Sequence, residues 1–231
     1  MTTIEERFFK SHPLSLETAS QAKELFPDGV THDIRFISPF PIYMDGAKDG
    51  IKWDIDGNKY IDYVIGHGAL ILGHGRKEVV DSLRMQLDKG THLGGSTKQE
   101  IAWAREVINL VPCAEKVRFV ASGTEASLMA LRLARAYTGK SKVIKFAYHF
   151  HGWHDYLILG ESRGVGGVPS KVAETVVVLE PNIEAVENVL QIDNDIACVI
   201  LEPTGAHGGQ LPIPPAFLEA LRALTNQHDV L

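Results

Sequence analysis

Residues 117–126, Val-Arg-Phe-Val-Ala-Ser-Gly-Thr-Glu-Ala, decide the fold of this chain. The alternating pattern over Lys116–Ala121 predicts a strand, and the helical spacing over Glu125–Tyr137 predicts a helix that follows at once. Ser122-Gly-Thr124 joins the two elements. Because the start of a helix leaves several amides without partners and carries a partial positive charge, this junction is able to hold an anion.

Two interpretations of the junction stay open. In the first, Gly123 lets the backbone approach an anion closely, while Ser122 and Thr124 add hydroxyl donors, which together suit a phosphate monoester. In the second, Ser122 or Thr124 only caps the helix. The junction has neither the Gly-x-x-x-x-Gly-Lys nor the Gly-x-Gly-x-x-Gly pattern, which disfavours a Walker-type nucleotide site and a dinucleotide site.

Strand and helix patterns alternate on the carboxyl side of this stretch. Strands separated by helices indicate crossover connections, and therefore an α/β fold with a parallel or mostly parallel sheet. His228-Asp-Val-Leu231 has the pattern of a further buried strand, from which we expect that the chain stops inside its domain. The other predicted elements on this side are strands over Lys142–Phe146, Thr175–Leu179 and Ile196–Leu201 and helices over Ile183–Leu190 and Pro215–Asn226.

The amino-terminal side predicts a smaller arrangement of helices and short strands. Turns that contain glycine separate the strands and favour an antiparallel meander. We expect a small N-terminal α+β segment over residues 1–75 and an incomplete larger domain over residues 76–231. The predicted elements are a helix over Leu14–Phe26, strands over Ile42–Asp45, Ile51–Asp54 and Lys59–Val64, a helix over Lys77–Lys89, and a helix from the capping box Thr97-Lys-Gln-Glu100 to Pro112.

A histidine-rich loop follows the predicted strand Lys142–Phe146. His149, His151 and His154 lie close together, on the side of an open α/β sheet where ligands bind. Three interpretations stay open: a zinc site, side chains that only pack locally, and a flat wall for an aromatic ring, with Phe150 stacked on the ring and His151 hydrogen-bonded near it. Since no second group of metal-ligating residues accompanies the histidines, no metal is predicted.

The composition narrows the class of protein. Among 231 residues, 23 Lys and Arg against 29 Asp and Glu give a formal charge of −6, which disfavours nucleic acid and anionic membranes as partners. No stretch reaches the roughly eighteen consecutive apolar residues of a membrane span, and the polar start lacks the apolar core of a secretory signal. Cys113 and Cys198 fit no metal spacing, so we expect a cytoplasmic protein with reduced thiols.

A series of motifs resembles the class III aminotransferases, and most closely the branch like glutamate-1-semialdehyde aminomutase. The motifs stand in the family's order and at its spacing over almost the entire chain. They are Phe26-Pro-Asp-Gly-Val30, Trp53-Asp-Ile-Asp-Gly-Asn-Lys-Tyr-Ile-Asp-Tyr63, Ile71-Leu-Gly-His-Gly75, Ser122-Gly-Thr-Glu-Ala126, Leu131-Arg-Leu-Ala-Arg-Ala-Tyr-Thr-Gly139, Phe150-His-Gly152 and Leu201-Glu-Pro203.

The resemblance implies a pyridoxal-phosphate-dependent transferase of fold type I, with pyridoxal 5′-phosphate as its cofactor and a homodimer as its assembly. Arg35 aligns with an arginine that binds the substrate carboxylate in the aminomutase-like branch, and a plain surface arginine is the alternative. Six residues are assigned to the cofactor: Ser122, Gly123 and Thr124 to the phosphate, Phe150 to the face of the pyridine ring, and His151 and Glu202 to positions near it.

Two departures from the aminomutase pattern bear on the reaction. The chain has His32-Asp-Ile-Arg35 where the aminomutase usually shows Ser-Pro-Val-Arg, and Phe150-His-Gly-Trp-His-Asp155 where it usually shows Tyr-His-Gly-His-Ala-Asp. The leading hypothesis is therefore an aminotransferase that moves an amino group between an amino acid, a β-amino acid among the options, and a keto acid. An intramolecular aminomutase and a non-catalytic module that binds a phosphate ligand are the alternatives.

The resemblance also implies an aspartate that pairs with the pyridine nitrogen and a lysine that forms the Schiff base. Lys140, Lys142, Lys145 and Lys171 do not match the family's lysine motif, so we expect the aspartate and the lysine beyond residue 231, and no turnover from this chain alone. Gly160–Ser170 is rich in glycine, which predicts either a mobile loop over the site or a plain connection.

Overall fold

The computed structural model describes residues 2–160 and 165–231. Two compact units are distinguished by their internal packing, Met1–Lys98 and Gln99–Leu231. In the described part of the chain, no helix combines the length and the apolar character that crossing a bilayer requires.

Two of the sequence-based predictions are not tested by this division. The boundary between residues 1–75 and residues 76–231 stays a prediction about domains. The proposed loop Gly160–Ser170 stays a prediction as well, because residues 161–164 lie outside the described residues.

The first unit combines helices with a small antiparallel sheet. Its strands β1 (Met44–Lys48), β2 (Ile51–Asp54) and β3 (Lys59–Ile61) are hydrogen-bonded in chain order, so the predicted meander is confirmed, with β1 starting later and β3 ending earlier than the pattern indicated. The elements are α1 (Ile4–Ser11), α2 (Pro13–Leu25), β1 (Met44–Lys48), β2 (Ile51–Asp54), β3 (Lys59–Ile61) and α3 (Lys77–Leu87).

Two carboxylates connect the sheet of the first unit to the segments that flank it. Asp56 lies in the turn between β2 and β3, and its carboxylate accepts hydrogen bonds from the Ser15 amide at 3.0 Å and the Ser15 hydroxyl at 2.6 Å, at the start of α2. Asp62 follows β3, and its carboxylate lies 2.7 Å from His74 Nε2 and 3.1 Å from Lys52 Nζ. These contacts fix the sheet to the helix before it and to the loop after it.

The second unit contains a parallel sheet in which β4 (Lys142–Phe146) lies between β5 (Val176–Leu179) and β6 (Ile196–Ile200), as the alternation of strands and helices predicted. Most of the predicted elements agree with the observed ones within a few residues. The elements are α4 (Lys98–Leu110), α5 (Gly123–Thr138), β4 (Lys142–Phe146), α6 (Ser170–Ala173), β5 (Val176–Leu179), α7 (Ile183–Ile192), β6 (Ile196–Ile200), α8 (Ala206–Gly209) and α9 (Pro215–Gln227).

Helices cover both faces of this sheet. Alternate side chains of β4 point to opposite faces. Ile144 and Phe146 pack in one buried cluster with residues of α7 and α9, while Val143 packs in a second with Leu131 and Ala134 of α5. Each large apolar side chain buried in this way contributes roughly 1.5–3 kcal/mol to stability. This packing fixes the position of α5 against the sheet.

The predicted strand over Lys116–Ala121 is wrong. Within residues 2–160 and 165–231 these positions belong to no strand ladder, and β4 is paired by β5 on one side and β6 on the other. A strand needs the edge of a partner, which a local pattern does not contain. Phe119 instead stacks on Trp103 of α4, with the ring centroids 3.7 Å apart.

Leu231, the last residue, pairs with β6. The Val199 amide donates to the Leu231 carbonyl at 2.9 Å, and the Leu231 amide donates to the Ala197 carbonyl at 3.1 Å. One residue bonded in this way to two alternate residues of a neighbour is the pattern of a parallel ladder. The strand predicted over residues 228–231 is confirmed only at Leu231, because His228 ends α9 and Asp229, with φ +51°, lies in a turn.

Candidate functional site

Ser122 caps α5. Its backbone is extended, with φ −152° and ψ 162°, and its Oγ accepts a hydrogen bond from the Glu125 amide at 3.1 Å. The Glu125 carboxylate accepts in return from the Ala121 amide at 2.7 Å. The capping interpretation therefore holds for Ser122, and it satisfies one of the amides that open the helix.

Gly123 and Thr124 provide the amides that remain. Within the described part of the chain, neither backbone N–H has a hydrogen-bond partner, although the Ala126 amide is bonded to the Ser122 carbonyl. No atom lies within 4 Å of the place where a Cβ on Gly123 would stand. The helix thus begins with two adjacent donors beside open space, which suits an anion more than a cap alone requires.

The loop after β4 lies against this helix start. Gly152 has φ +105°, and a Cβ built on it would stand 2.6 Å from Thr124 Oγ1 and 2.8 Å from Thr124 Cα. The Trp153 amide donates to Thr124 Oγ1 at 3.4 Å, and Ser127 Oγ donates to the His151 carbonyl at 2.6 Å. Only glycine at position 152 allows this approach without a clash.

Phe150 is presented by the same loop. Its side chain is 45% exposed, and its ring lies 5.2 Å from the Trp153 ring at an interplanar angle of 67°. The Phe150 amide donates to a Glu202 carboxylate oxygen at 3.2 Å, and the Glu202 amide donates to His149 Nδ1 at 2.8 Å. Glu202, after β6, therefore holds the backbone of Phe150 in place and leaves an aromatic face available to a ligand.

The three histidines of the loop differ in surroundings. His149 is buried. Burial, with smaller contributions from Lys145, His149 and His154, lowers the pKa of His151 from 6.5 to about 4, so this imidazole is neutral near pH 7. Its Nε2 is buried and has no hydrogen-bond partner, which leaves one polar atom of the site to be satisfied by a ligand or by water.

Metal binding gains no support from the described residues, because no three His, Cys, Asp or Glu side chains among them are grouped to hold an ion. Lys145 directs its amine to the protein interior and not to the candidate site. It is fully buried on β4, and its Nζ donates to the Leu157 carbonyl at 2.8 Å.

Six sequence-predicted residues are thus joined by contacts within the second unit: Ser122, Gly123, Thr124, Phe150, His151 and Glu202. Arg35 lies in the first unit, where its exposed guanidinium donates to Thr31 Oγ1 at 2.9 Å. Sequence reasoning missed Ser127, which contacts the loop directly. Its small polar side chain stands three residues after Thr124 within a helical pattern, so the same face could have been inferred.

The residues present fit a phosphorylated aromatic ligand. Two unpartnered amides and the hydroxyl of Ser122 offer donors to a phosphate, and the exposed Phe150 ring offers a face to a heterocycle. The partnerless Nε2 of His151 offers one further polar contact. Because Gly152 brings the loop against Thr124, the donors and the ring belong to one site.

Known proteins share this arrangement of elements. An omega-transaminase from Sphaerobacter thermophilus superposes with a TM-score of 0.88 at 30% identity, covering 94% of this chain and 53% of that chain. A transaminase with PLP bound gives a TM-score of 0.90 at 30% identity, covering 95% of this chain and 54% of that chain. The predicted α/β fold of type I pyridoxal-phosphate-dependent transferases is therefore confirmed.

Sequence relatives lead to the same family. The glutamate-1-semialdehyde 2,1-aminomutase of Methanocaldococcus jannaschii is 38% identical over an alignment of 227 residues, and the match covers 94% of this chain and 53% of that protein. The chain thus spans about half the length of the relatives that it matches. The family model described as aminotransferase class-III matches residues 36–231. Pyridoxal phosphate is the cofactor of that family, and the chain belongs to the class III aminotransferases.

Proposed function

We propose that this chain forms the part of a pyridoxal-phosphate-dependent aminotransferase that holds the cofactor, in an enzyme that moves an amino group between an amino acid and a keto acid. One observation carries the proposal. The unpartnered amides of Gly123 and Thr124 lie at the start of α5, beside a loop that presents Phe150. Gly152, which has no side chain, allows that loop to contact Thr124 directly. Family membership supports it independently.

The start of α5 would bind the cofactor phosphate. The Gly123 and Thr124 amides donate to phosphate oxygens, and the Ser122 hydroxyl, whose oxygen accepts from the Glu125 amide, retains its proton to donate. Each hydrogen bond to a charged oxygen contributes roughly 1.5–3 kcal/mol. Three such bonds account for retention of a phosphorylated ligand over its unphosphorylated form.

Phe150 and His151 would orient the cofactor ring. The Phe150 ring stacks on one face, and Glu202 restrains it through the Phe150 amide at 3.2 Å. His151 enters neutral near pH 7, so its Nε2 gives a single directional hydrogen bond and brings no charge into the site. When bound, the pyridoxal group supplies an electron sink for bond changes at the carbon that carries the amino group.

The catalytic lysine is proposed to lie outside this chain. Lys145, the lysine closest in sequence to Phe150, is fully buried and donates from Nζ to the Leu157 carbonyl, which supports a packing role for it. Arg35 is proposed to bind a substrate carboxylate, for which a guanidinium has the matching fork of donors. A cytoplasmic location, a homodimer and absence of turnover by the 231-residue chain complete the proposal.

An aminomutase is the second candidate, and the sequence relative from Methanocaldococcus jannaschii, named as a glutamate-1-semialdehyde 2,1-aminomutase, favours it. The two reactions differ in their substrates. The full-length protein is to be given glutamate-1-semialdehyde alone in one assay and an amino acid with a keto acid in another. Production of a new amino acid only in the second assay supports the aminotransferase, and conversion of the semialdehyde alone supports the aminomutase.

Cofactor binding is tested without the lysine. Pyridoxamine 5′-phosphate cannot form a Schiff base with a protein lysine, so its affinity for the 231-residue chain measures the phosphate and ring contacts. We expect it to bind at least about tenfold more tightly than pyridoxamine, because the phosphate adds charge-assisted hydrogen bonds. Equal affinities, or no binding of either compound, would remove the basis of the proposal.

A further inference from the structure

Ser127 joins the helix that carries the phosphate donors to the loop that carries Phe150. Its Oγ lies 2.6 Å from the His151 carbonyl, 3.2 Å from His154 Nε2 and 3.0 Å from the carbonyl of Thr124. A serine hydroxyl has one proton to donate. The shortest contact takes that proton, so the hydroxyl donates to the His151 carbonyl and accepts from His154 Nε2.

This assignment fixes the tautomer of His154. Nε2 carries the proton, and Nδ1 is buried with no hydrogen-bond partner. Burial lowers the pKa of His154, which agrees with a neutral ring. Leaving the buried Nδ1 without a partner costs free energy, which the hydrogen bond from Nε2 to Ser127 partly offsets.

The loop is attached to the first turns of α5 at several points within four residues. The His151 carbonyl and His154 Nε2 both meet Ser127, the Trp153 amide meets Thr124 Oγ1 at 3.4 Å, and Gly152 packs on Thr124. Phe150 immediately precedes this attached segment. These contacts therefore help to fix the position of its ring relative to the Gly123 and Thr124 amides, in addition to the bond between the Phe150 amide and Glu202.

We propose that Ser127 and His154 are positioning residues, which hold the aromatic face of Phe150 at a fixed position over the phosphate-binding start of α5. The inference rests on the proposed function, because it assumes a ligand that uses both the amides and the ring. His154 stands where the aminomutase pattern quoted above has alanine, so this contact is a feature in which the chain departs from that pattern.

The test compares variants that break or keep the contact. Ser127→Ala and His154→Leu remove it, whereas His154→Gln places an amide N–H near the position of Nε2. We expect about tenfold weaker binding of pyridoxamine 5′-phosphate in the first two, and binding within about twofold of the unmodified chain in His154→Gln. The double variant Ser127→Ala with His154→Leu should bind no more weakly than either single variant, because both remove one interaction.

Two readouts separate positioning from a general loss of structure. Inorganic phosphate, used as a competitor, contacts only the donors at the start of α5 and not the Phe150 ring, so its inhibition constant should stay within about twofold in every variant. The circular dichroism of bound pyridoxamine 5′-phosphate reports the orientation of its ring, and it should change in Ser127→Ala and return in His154→Gln.

The outcomes distinguish the two proposals. If the unmodified chain binds pyridoxamine 5′-phosphate no better than pyridoxamine, the proposed function fails and this inference fails with it. If the unmodified chain binds it tightly and Ser127→Ala and His154→Leu bind equally well, only the positioning role is overturned. Parallel loss of affinity for inorganic phosphate would also overturn it, since the amides themselves would then be displaced.

Discussion

Among single residues, Gly152 makes the tightest contact of the candidate site. An added Cβ would stand 2.6 Å from Thr124 Oγ1, on a backbone with φ +105°. We expect Gly152→Ala to lower the free energy of unfolding by about 1–3 kcal/mol and to weaken binding of pyridoxamine 5′-phosphate, because the loop must move away from α5. Urea unfolding followed by circular dichroism measures the first effect.

Gly123→Ala is the matched control for this prediction. Nothing lies within 4 Å of its added Cβ, and the residue is helical, so the free energy of unfolding should change by less than about 0.5 kcal/mol. Equal destabilisation by the two alanine substitutions would show that the approach of the loop to Thr124 is not the cause.

His151 makes the stability of the second unit depend on pH. Its pKa is lowered from 6.5 to about 4 in the folded protein, so between these values the unfolded chain binds more protons than the folded one. Stability is therefore full above about pH 6.5 and falls as the pH decreases towards 4. His154, whose pKa is also lowered by burial, acts in the same direction.

The corresponding measurement is the unfolding midpoint in urea at a series of pH values. His151→Gln cannot take up the proton, so its midpoint should decrease less between pH 6.5 and pH 4 than that of the unmodified chain. Identical slopes for the two proteins would assign the acid sensitivity to other groups.

At the scale of elements, substitutions at the start of α5 test helix capping and phosphate binding separately. Ser122→Ala removes the bond to the Glu125 amide and should cost about 1 kcal/mol of stability. Ser122→Asp keeps a capping oxygen but adds a negative charge beside the Gly123 and Thr124 amides. We expect Ser122→Asp to retain stability while losing most of its affinity for pyridoxamine 5′-phosphate, as measured by fluorescence titration. Undiminished affinity in Ser122→Asp would assign the helix start to capping alone.

The elements also differ in how far local sequence determines them. Strand β4, Lys142–Phe146, was predicted to the residue because its buried side chains lie in one continuous pattern. The strand predicted over Lys116–Ala121 failed because pairing depends on residues distant in sequence. The donors at Gly123 and Thr124 follow from the predicted start of the helix after Ser122 and could be predicted. The contacts of Ser127 with the histidine loop depend on the packing of α5 against β4, which no local pattern contains.

At the scale of the whole molecule, the first compact unit is stabilised by one buried carboxylate, Asp62, which accepts several hydrogen bonds. In the first unit, hydrogen bonds from His74, Lys52 and the Val64 and Ile65 amides hold the pKa of the Asp62 carboxyl well below its usual range. A depressed carboxyl pKa contributes stability that is present above the unfolded value and is lost as the pH falls below it.

Asp62→Asn tests the role of this carboxylate. It keeps the size of the side chain but removes the charge that pairs with Lys52, so the unfolding midpoint of the first unit should fall. Trp53 lies in that unit and Trp103 and Trp153 lie in the other, so a Trp53→Phe background identifies the fluorescence of each. Binding of pyridoxamine 5′-phosphate should be unchanged, and a parallel loss of binding would contradict the assignment of the site to the second unit.

The most direct measurement removes one backbone donor from the start of α5. Proline is favoured at the first position of a helix and lacks an N–H, and the extended backbone of Ser122 is compatible with a following proline. Gly123→Pro is therefore expected to fold normally and to bind pyridoxamine 5′-phosphate about tenfold more weakly than Gly123→Ala, which also carries a Cβ but keeps the N–H. Equal affinity in Gly123→Pro and Gly123→Ala would show that the amide at the start of α5 does not bind the phosphate.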